Sequence, residues 1–116
     1  MLDVITVYKT QDYKAREDYQ KLLSILQKLI QSNRATVICG DFNFDYLKEE
    51  ENAVRVTLKD LGFKQLVTEP TTIRGNCIDH FYITEKVMLG RYELYYPYYT
   101  DHEAVRATIK PKRRNV

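Results

Sequence analysis

Three short segments place carboxylate, amide and imidazole groups where hydrolytic chemistry could use them: Gly40-Asp41-Phe42-Asn43, Ile78-Asp79-His80 and Thr100-Asp101-His102-Glu103. In the first, one carboxylate and one amide stand two residues apart, directly after the apolar run Thr36-Val37-Ile38-Cys39. If extended geometry persists, both side chains point the same way and could hold a water and a phosphate. Gly40 permits a sharp backbone turn. Asp and Asn also build ordinary turns, and four residues alone do not separate the two readings. In the second segment the alternation of a strand puts Asp79 on the face of Cys77, Phe81 and Ile83, and His80 on the face of Ile78 and Tyr82. A carboxylate on an apolar face is costly without a partner. Asp79 is therefore expected to have a fixed partner, either a structural arginine or a catalytic group. His80 is read as a packing or surface histidine. In the third segment adjacent Asp and His side chains diverge in extended chain and could serve different partners. Asp79 could be the carboxylate that fixes the tautomer of His102. Taken alone, the Asp-His dipeptide is equally a solvated turn.

The elements that would position these groups follow from periodicity. Leu2–Tyr8 reads as a strand rich in β-branched residues. Tyr19, Leu22, Leu23, Leu26, Leu29 and Ile30 recur at three- and four-residue steps, the stripe of an amphipathic helix. Ala35–Cys39 is a second strand, so strand, helix and strand suggest a βαβ crossover with parallel pairing. Reactive groups collect beyond the carboxyl ends of such strands, which is where Asp41 falls. Residues 41–48 read as a loop. Glu49–Leu61 reads as a second helix, opened by acidic residues and closed by Gly62 as a left-handed cap. Strands are expected at Phe63–Val67, Cys77–Ile83, Tyr92–Tyr96 and Ala104–Ile109, with a turn-rich loop at Pro70–Asn76.

The chain has 116 residues, which allows one domain or less. Hydrophobic residues make up 44% and charged residues 29%, which is ordinary for a soluble globular protein and does not suggest a disordered chain. A net charge of +2 is too small to mark a nucleic-acid binder, although Lys110, Lys112, Arg113 and Arg114 crowd the end. That basic tail would bind phosphates, address the nucleus or simply be solvated. Cys39 and Cys77 fall within apolar runs and read as small buried hydrophobes rather than a disulfide, in keeping with a reducing compartment. No cationic stretch precedes an apolar run at the N-terminus, and no apolar run approaches the ~20 residues a membrane span needs. A soluble, intracellular protein with no membrane partner is expected.

Taken in order, the three segments resemble the C-terminal motifs of the endonuclease/exonuclease/phosphatase superfamily. The stretch Val67-Thr68-Glu69-Pro70-Thr71-Thr72, running on to Asp79, is most similar to endonuclease domains of retroelements and of related helicase-associated reading frames. The resemblance implies an α/β fold, half of a DNase I-like four-layer sandwich, with one mixed sheet and helices on one face. It covers nearly all of residues 1–116. It implies Mg²⁺-dependent hydrolysis of a nucleic-acid phosphodiester, with Mn²⁺ as an alternative ion and DNA as the expected partner. By position, Asp41 would orient or deprotonate the attacking water, and Asn43 would hold water and phosphate. Asp101 would join the metal shell. His102 would stabilise charge on a non-bridging oxygen, and Asp79 would orient His102. Tyr8 falls where the family has a Tyr or His on the phosphate, though it is also one of ten tyrosines.

The family's domain is about twice this long, and its first half supplies an Asn, a metal-binding Glu and a second sheet. The chain is thus expected to be an incomplete enzyme, with an exposed apolar sheet face suited to a missing half or to self-association. The competing reading is a non-catalytic remnant or nucleic-acid-binding module of a retroelement-derived protein. A third keeps the fold and changes the substrate to a phosphorylated lipid or sugar.

Overall fold

The computed structural model describes residues 2–9, 15–31, 34–84, 87–95 and 104–111. Strand β1 (Leu2–Tyr8) leads through helix α1 (Ala15–Leu29) to strand β2 (Ala35–Asp41), and the two strands pair in parallel. The chain continues through helix α2 (Ala53–Asp60), the short strand β3 (Phe63–Gln65) and strand β4 (Asp79–Thr84). These form one mixed sheet of order β1-β2-β4-β3, in which β4 runs antiparallel to both neighbours. Strands β5 (Val87–Tyr95) and β6 (Ala104–Pro111) make a separate antiparallel pair with an irregularity between Leu89 and Arg91.

Both helices pack on one sheet face, as the α/β expectation requires. The apolar stripe of α1 supplies buried Tyr19, Leu23 and Leu26, and α2 supplies Val54 and Leu58 at four-residue spacing. They close over Val7, Ile38, Phe63 and Tyr82 from the sheet and over Phe42 and Phe44 from the loop after β2. Leu29, expected on the stripe, is 51% exposed and is the last residue of the helix. On the opposite face Ala35, Val37, Leu66 and Ile83 are buried together. The bare apolar face expected of a half-sandwich is therefore partly filled, and among the described residues Val4 on β1 is 60% exposed there.

Several element boundaries differ from those read in the sequence. The second helix begins at Ala53, not Glu49. The Asn52 side chain accepts from the Val54 amide and caps it, and no acidic residue lies in its first turn. Glu49 is used instead in a turn, where its amide donates to the Asp45 carbonyl and its carboxylate accepts the Asp45 amide. That local bonding competes with helix formation. Gly62 does close the helix in a left-handed conformation, at φ 90°. Strand β3 stops at Gln65 rather than Val67. The Gln65 side chain accepts the amides of Val67 and Phe81 and donates to the Val67 carbonyl, drawing the backbone out of the ladder. Strand β4 starts at Asp79 instead of Cys77, and β5 and β6 are longer than read. Tyr96, Asp101, His102 and the tail residues Lys112, Arg113 and Arg114 lie outside the described residues. Cys39 and Cys77 are both free thiols. Among the described residues no helix is long and apolar enough to cross a membrane.

Candidate functional site

Strand register gathers three of the candidate residues into one row. Tyr8 on β1 is the partner of Asp41 on β2, and Asp41 is the partner of Asp79 on β4. Residues directly opposite across a ladder share a face, with Cβ atoms about 4.5–5.5 Å apart in antiparallel pairs. The phenol and both carboxylates therefore stand side by side on the face away from the helices, at the carboxyl end of β1 and β2. Asp41 and Asp79 are half-buried, while Tyr8 is 78% exposed. The row is pinned at its ends, since the Lys9 amide donates to the Asp41 carbonyl (2.7 Å) and the Phe42 amide to the Ile78 carbonyl (2.9 Å).

Asn43 joins the row from the loop. It takes a left-handed backbone conformation (φ 55°), which Asn tolerates better than most residues. Its amide donates to Oδ1 of Asp41 (2.9 Å), and its Nδ2 donates to the Lys9 carbonyl (3.0 Å). One residue thus orients the Asp41 carboxylate and ties the exit of β1 to the exit of β2. The Tyr19 hydroxyl shares its proton between the carbonyls of Phe42 (2.9 Å) and Asn43 (2.7 Å), securing this loop to α1.

Asp79 is held through its backbone by a residue that the sequence did not single out. Thr71 is fully buried, and its hydroxyl oxygen accepts the amides of both Ile78 and Asp79 (3.2 Å each). Asp45, also unremarked in the sequence, accepts the amides of Leu47 and Cys77 (3.0 Å each), latching the 42–48 loop to the segment that enters β4. Only the Asp-x-Leu spacing of its local turn is visible in sequence. The bond to Cys77 is long-range and leaves no local signature.

His80 turns inward, as the packing reading expects, and is 2% exposed. Burial lowers its pKa to about 4, and bonds to the Cys77 and Phe44 carbonyls oppose that shift without overcoming it. Burial first, and then the charges of Asp45, Asp79 and Glu69, push the Cys77 thiol up to about 12, so it is not a nucleophile. The His80 shift has a consequence for stability. The unfolded imidazole takes up a proton near pH 6.5, whereas the folded one does so only near 4. Its contribution is therefore complete above pH 6.5 and is lost as pH falls toward 4, to a total of about 3 kcal/mol. Urea midpoints at pH 7.5 and 4.5 should drop for the wild type and drop less for His80→Gln. Equal drops would place the acid sensitivity elsewhere.

No group of three or more His, Cys, Asp or Glu side chains able to hold a metal occurs among the described residues. Asp41 and Asp79 offer oxygen donors of the kind Mg²⁺ takes, but two carboxylates do not complete a centre, and Asp101 is not among the described residues. The chemistry that these residues can support on their own is to orient a water and to contact a phosphate group.

Among solved structures, the chain is similar to a conserved protein of unknown function from Enterococcus faecalis V583, at 17% identity and a TM-score of 0.75 over 94% of this chain and 50% of that one. It is also similar to the human Nocturnin catalytic domain, solved with a bound sulfate anion. That match has 18% identity and a TM-score of 0.64, over 94% of this chain and 46% of that one. A Bacteroides thetaiotaomicron endonuclease/exonuclease/phosphatase family protein matches at 14% identity and a TM-score of 0.53, over 91% and 44%. The chain thus spans about half the length of the solved structures it matches. No curated protein sequence matches it. The Endonuclease/Exonuclease/phosphatase family matches residues 4–102, most of the sequence and all of the row built from Tyr8, Asp41, Asn43 and Asp79, and the chain belongs to that family.

Proposed function

We propose that the chain carries part of the active site of a phosphodiesterase acting on nucleic acid. The observation that carries this reading is the row Tyr8–Asp41–Asp79, with Asn43 bonded to Asp41. In this reading Asp41 takes a proton from the attacking water, held in line by the Asn43 amide bond to its Oδ1. Asn43 has a second Nδ2–H beyond the one given to Lys9, and this reaches the water or a phosphate oxygen. Tyr8 projects into solvent beside them and donates a hydrogen bond from its hydroxyl to a non-bridging oxygen. Asp79 orients His102, which stabilises the charge developing on phosphate. Members of the family are typically divalent-metal dependent. Mg²⁺, or Mn²⁺ in its place, would supply charge neutralisation at phosphate, with Asp101 in its shell.

The half-length match favours a chain that needs a further segment, or a second copy against the open part of β1, for full activity. It also keeps alive a non-catalytic nucleic-acid-binding module. The two readings part in one assay. Supercoiled plasmid incubated with the chain and Mg²⁺ should be nicked, and EDTA should stop the nicking. Retention of plasmid on the protein with no cleavage under either condition would support the binding module and overturn the hydrolase.

A further inference from the structure

The geometry points to His80 as a positioning residue: an uncharged imidazole, protonated on Nε2, that clamps the 42–46 loop to the start of β4 and sets the spacing of Asp41 and Asn43 against Asp79. The catalytic part of this inference rests on the hydrolase reading above.

The tautomer follows from the partners. Nε2 lies 2.8 Å from the Cys77 carbonyl oxygen and 3.2 Å from that of Phe44. Carbonyl oxygens only accept, so Nε2 carries the hydrogen. Nδ1 lies 3.0 Å from the Tyr82 hydroxyl. With Nε2 protonated and the ring neutral, Nδ1 accepts, and Tyr82 donates. Burial raises the Tyr82 pKa above its ordinary value, so the phenol keeps the proton it donates. The ionisable groups around the ring are Tyr82 and Asp79 on its own strand, Cys77 before it, and Asp45 and Tyr46 on the loop. Arg55 of α2 lies over the Tyr46 ring, 3.8 Å from its centroid.

The ring also touches the residues on either side of Asn43. It stacks on Phe42 (centroids 4.9 Å apart, planes at 11°) and meets Phe44 edge-on (4.6 Å, 86°). His80 directly follows Asp79, and its ladder partner is Gly40, directly before Asp41. One side chain therefore bonds or stacks with segments next to Asp41, Asn43 and Asp79. A phenyl ring would fill the same volume and keep the stack. It would leave the Phe44 and Cys77 carbonyls without this donor, and the loop could then shift relative to β4. Displacement of a reacting group by about 1 Å is enough to cost on the order of 10²-fold in rate.

Two variants separate this role from simple packing. His80→Phe keeps the ring and loses both polar atoms. His80→Gln loses the ring and keeps an N–H donor near the Nε2 position. Long-range ¹H–¹⁵N spectra of the wild type at pH 7 should show a protonated Nε2 and a bare Nδ1, with the signals assigned by their loss in His80→Gln. Turnover of bis(p-nitrophenyl) phosphate should fall at least tenfold in kcat for His80→Phe, with KM within about twofold, and His80→Gln should recover much of it. The backbone amide signals of Asn43 and Asp79 should move in His80→Phe. A proton on Nδ1, or a folded His80→Phe with unchanged kcat and unmoved Asn43 and Asp79 signals, would overturn the inference. If His80→Phe does not fold, His80→Gln decides alone: kcat at the level of an Asp41→Asn control would refute the donor role. If the wild type hydrolyses nothing, the functional reading fails by itself. The tautomer and the amide shifts then still confirm or refute the clamp.

Discussion

Alanine at Gly40 is expected to remove roughly 4 kcal/mol or more of stability, enough to leave a domain of this size largely unfolded. Gly40 has φ 134°, a region that side-chain-bearing residues rarely adopt. A Cβ built there would lie 1.9 Å from the Val7 carbonyl oxygen and 2.9 Å from the Val7 backbone nitrogen. That obstacle is the backbone of β1, which is the ladder partner of Gly40, so no rotamer change relieves it. Either β1 and β2 part at their carboxyl ends or the chain does not fold. Gly62 is the natural control. It also has a positive φ, but an added Cβ meets nothing within 4 Å. Its alanine variant should lose only about 1 kcal/mol from backbone strain. Urea unfolding followed by far-UV circular dichroism measures both. Gly40→Ala with a midpoint no lower than that of Gly62→Ala would contradict the close approach of the two strands. Because Gly40 precedes Asp41, the same tight passage is what delivers the carboxylate beside Tyr8 and Asp79.

Asp41→Ala should lower phosphodiester hydrolysis by about 10³-fold, in the range that loss of a general base produces. The fold should survive. Asp41 is half-buried at the end of β2, and its main-chain bonds to Lys9 and along β4 do not need its side chain. Among its interactions the variant loses the acceptor for the Asn43 amide, a bond worth about 1.5–3 kcal/mol when the acceptor is charged. Asn43 keeps its Nδ2 bond to Lys9, and Tyr19 keeps its contact with the loop carbonyls. Near-wild-type circular dichroism with hydrolysis lowered by about 10³-fold is the expected pair of results. Hydrolysis within a few-fold of wild type would remove Asp41 from the chemistry.

The sequence carried the architecture well where period and connectivity speak. The β-branched run at 2–8, the helical stripe of Tyr19, Leu23 and Leu26 and the apolar run at 35–39 implied parallel pairing of β1 with β2, and that is the observed register. Alternation along 77–83 separated Asp79 from His80, and the two do face opposite sides of β4. What failed was decided by side chains that bond the backbone. Glu49 to Glu51 read as a helix start, yet Asp45 captures Glu49 in a turn and Asn52 takes the cap. Gln65 ended β3 early by the same means. The supports of the site were hidden for another reason. Thr71 to Asp79, Asp45 to Cys77 and His80 to Phe44 are bonds between segments whose approach depends on the finished sheet. A single sequence marks neither end of such a bond. His80 was legible as a packing or surface histidine, and its donation to two carbonyls was not legible.

In the proposed reaction Asp41 and Asp79 act as one unit across neighbouring strands. A double-mutant cycle on phosphodiester hydrolysis tests it most directly, using Asp41→Asn, Asp79→Asn and the pair. Groups that serve one reaction together are strongly non-additive, so the double variant should be no slower than the slower single variant. Losses that multiply, or a single variant with wild-type rate, would contradict a shared site at this end of the sheet.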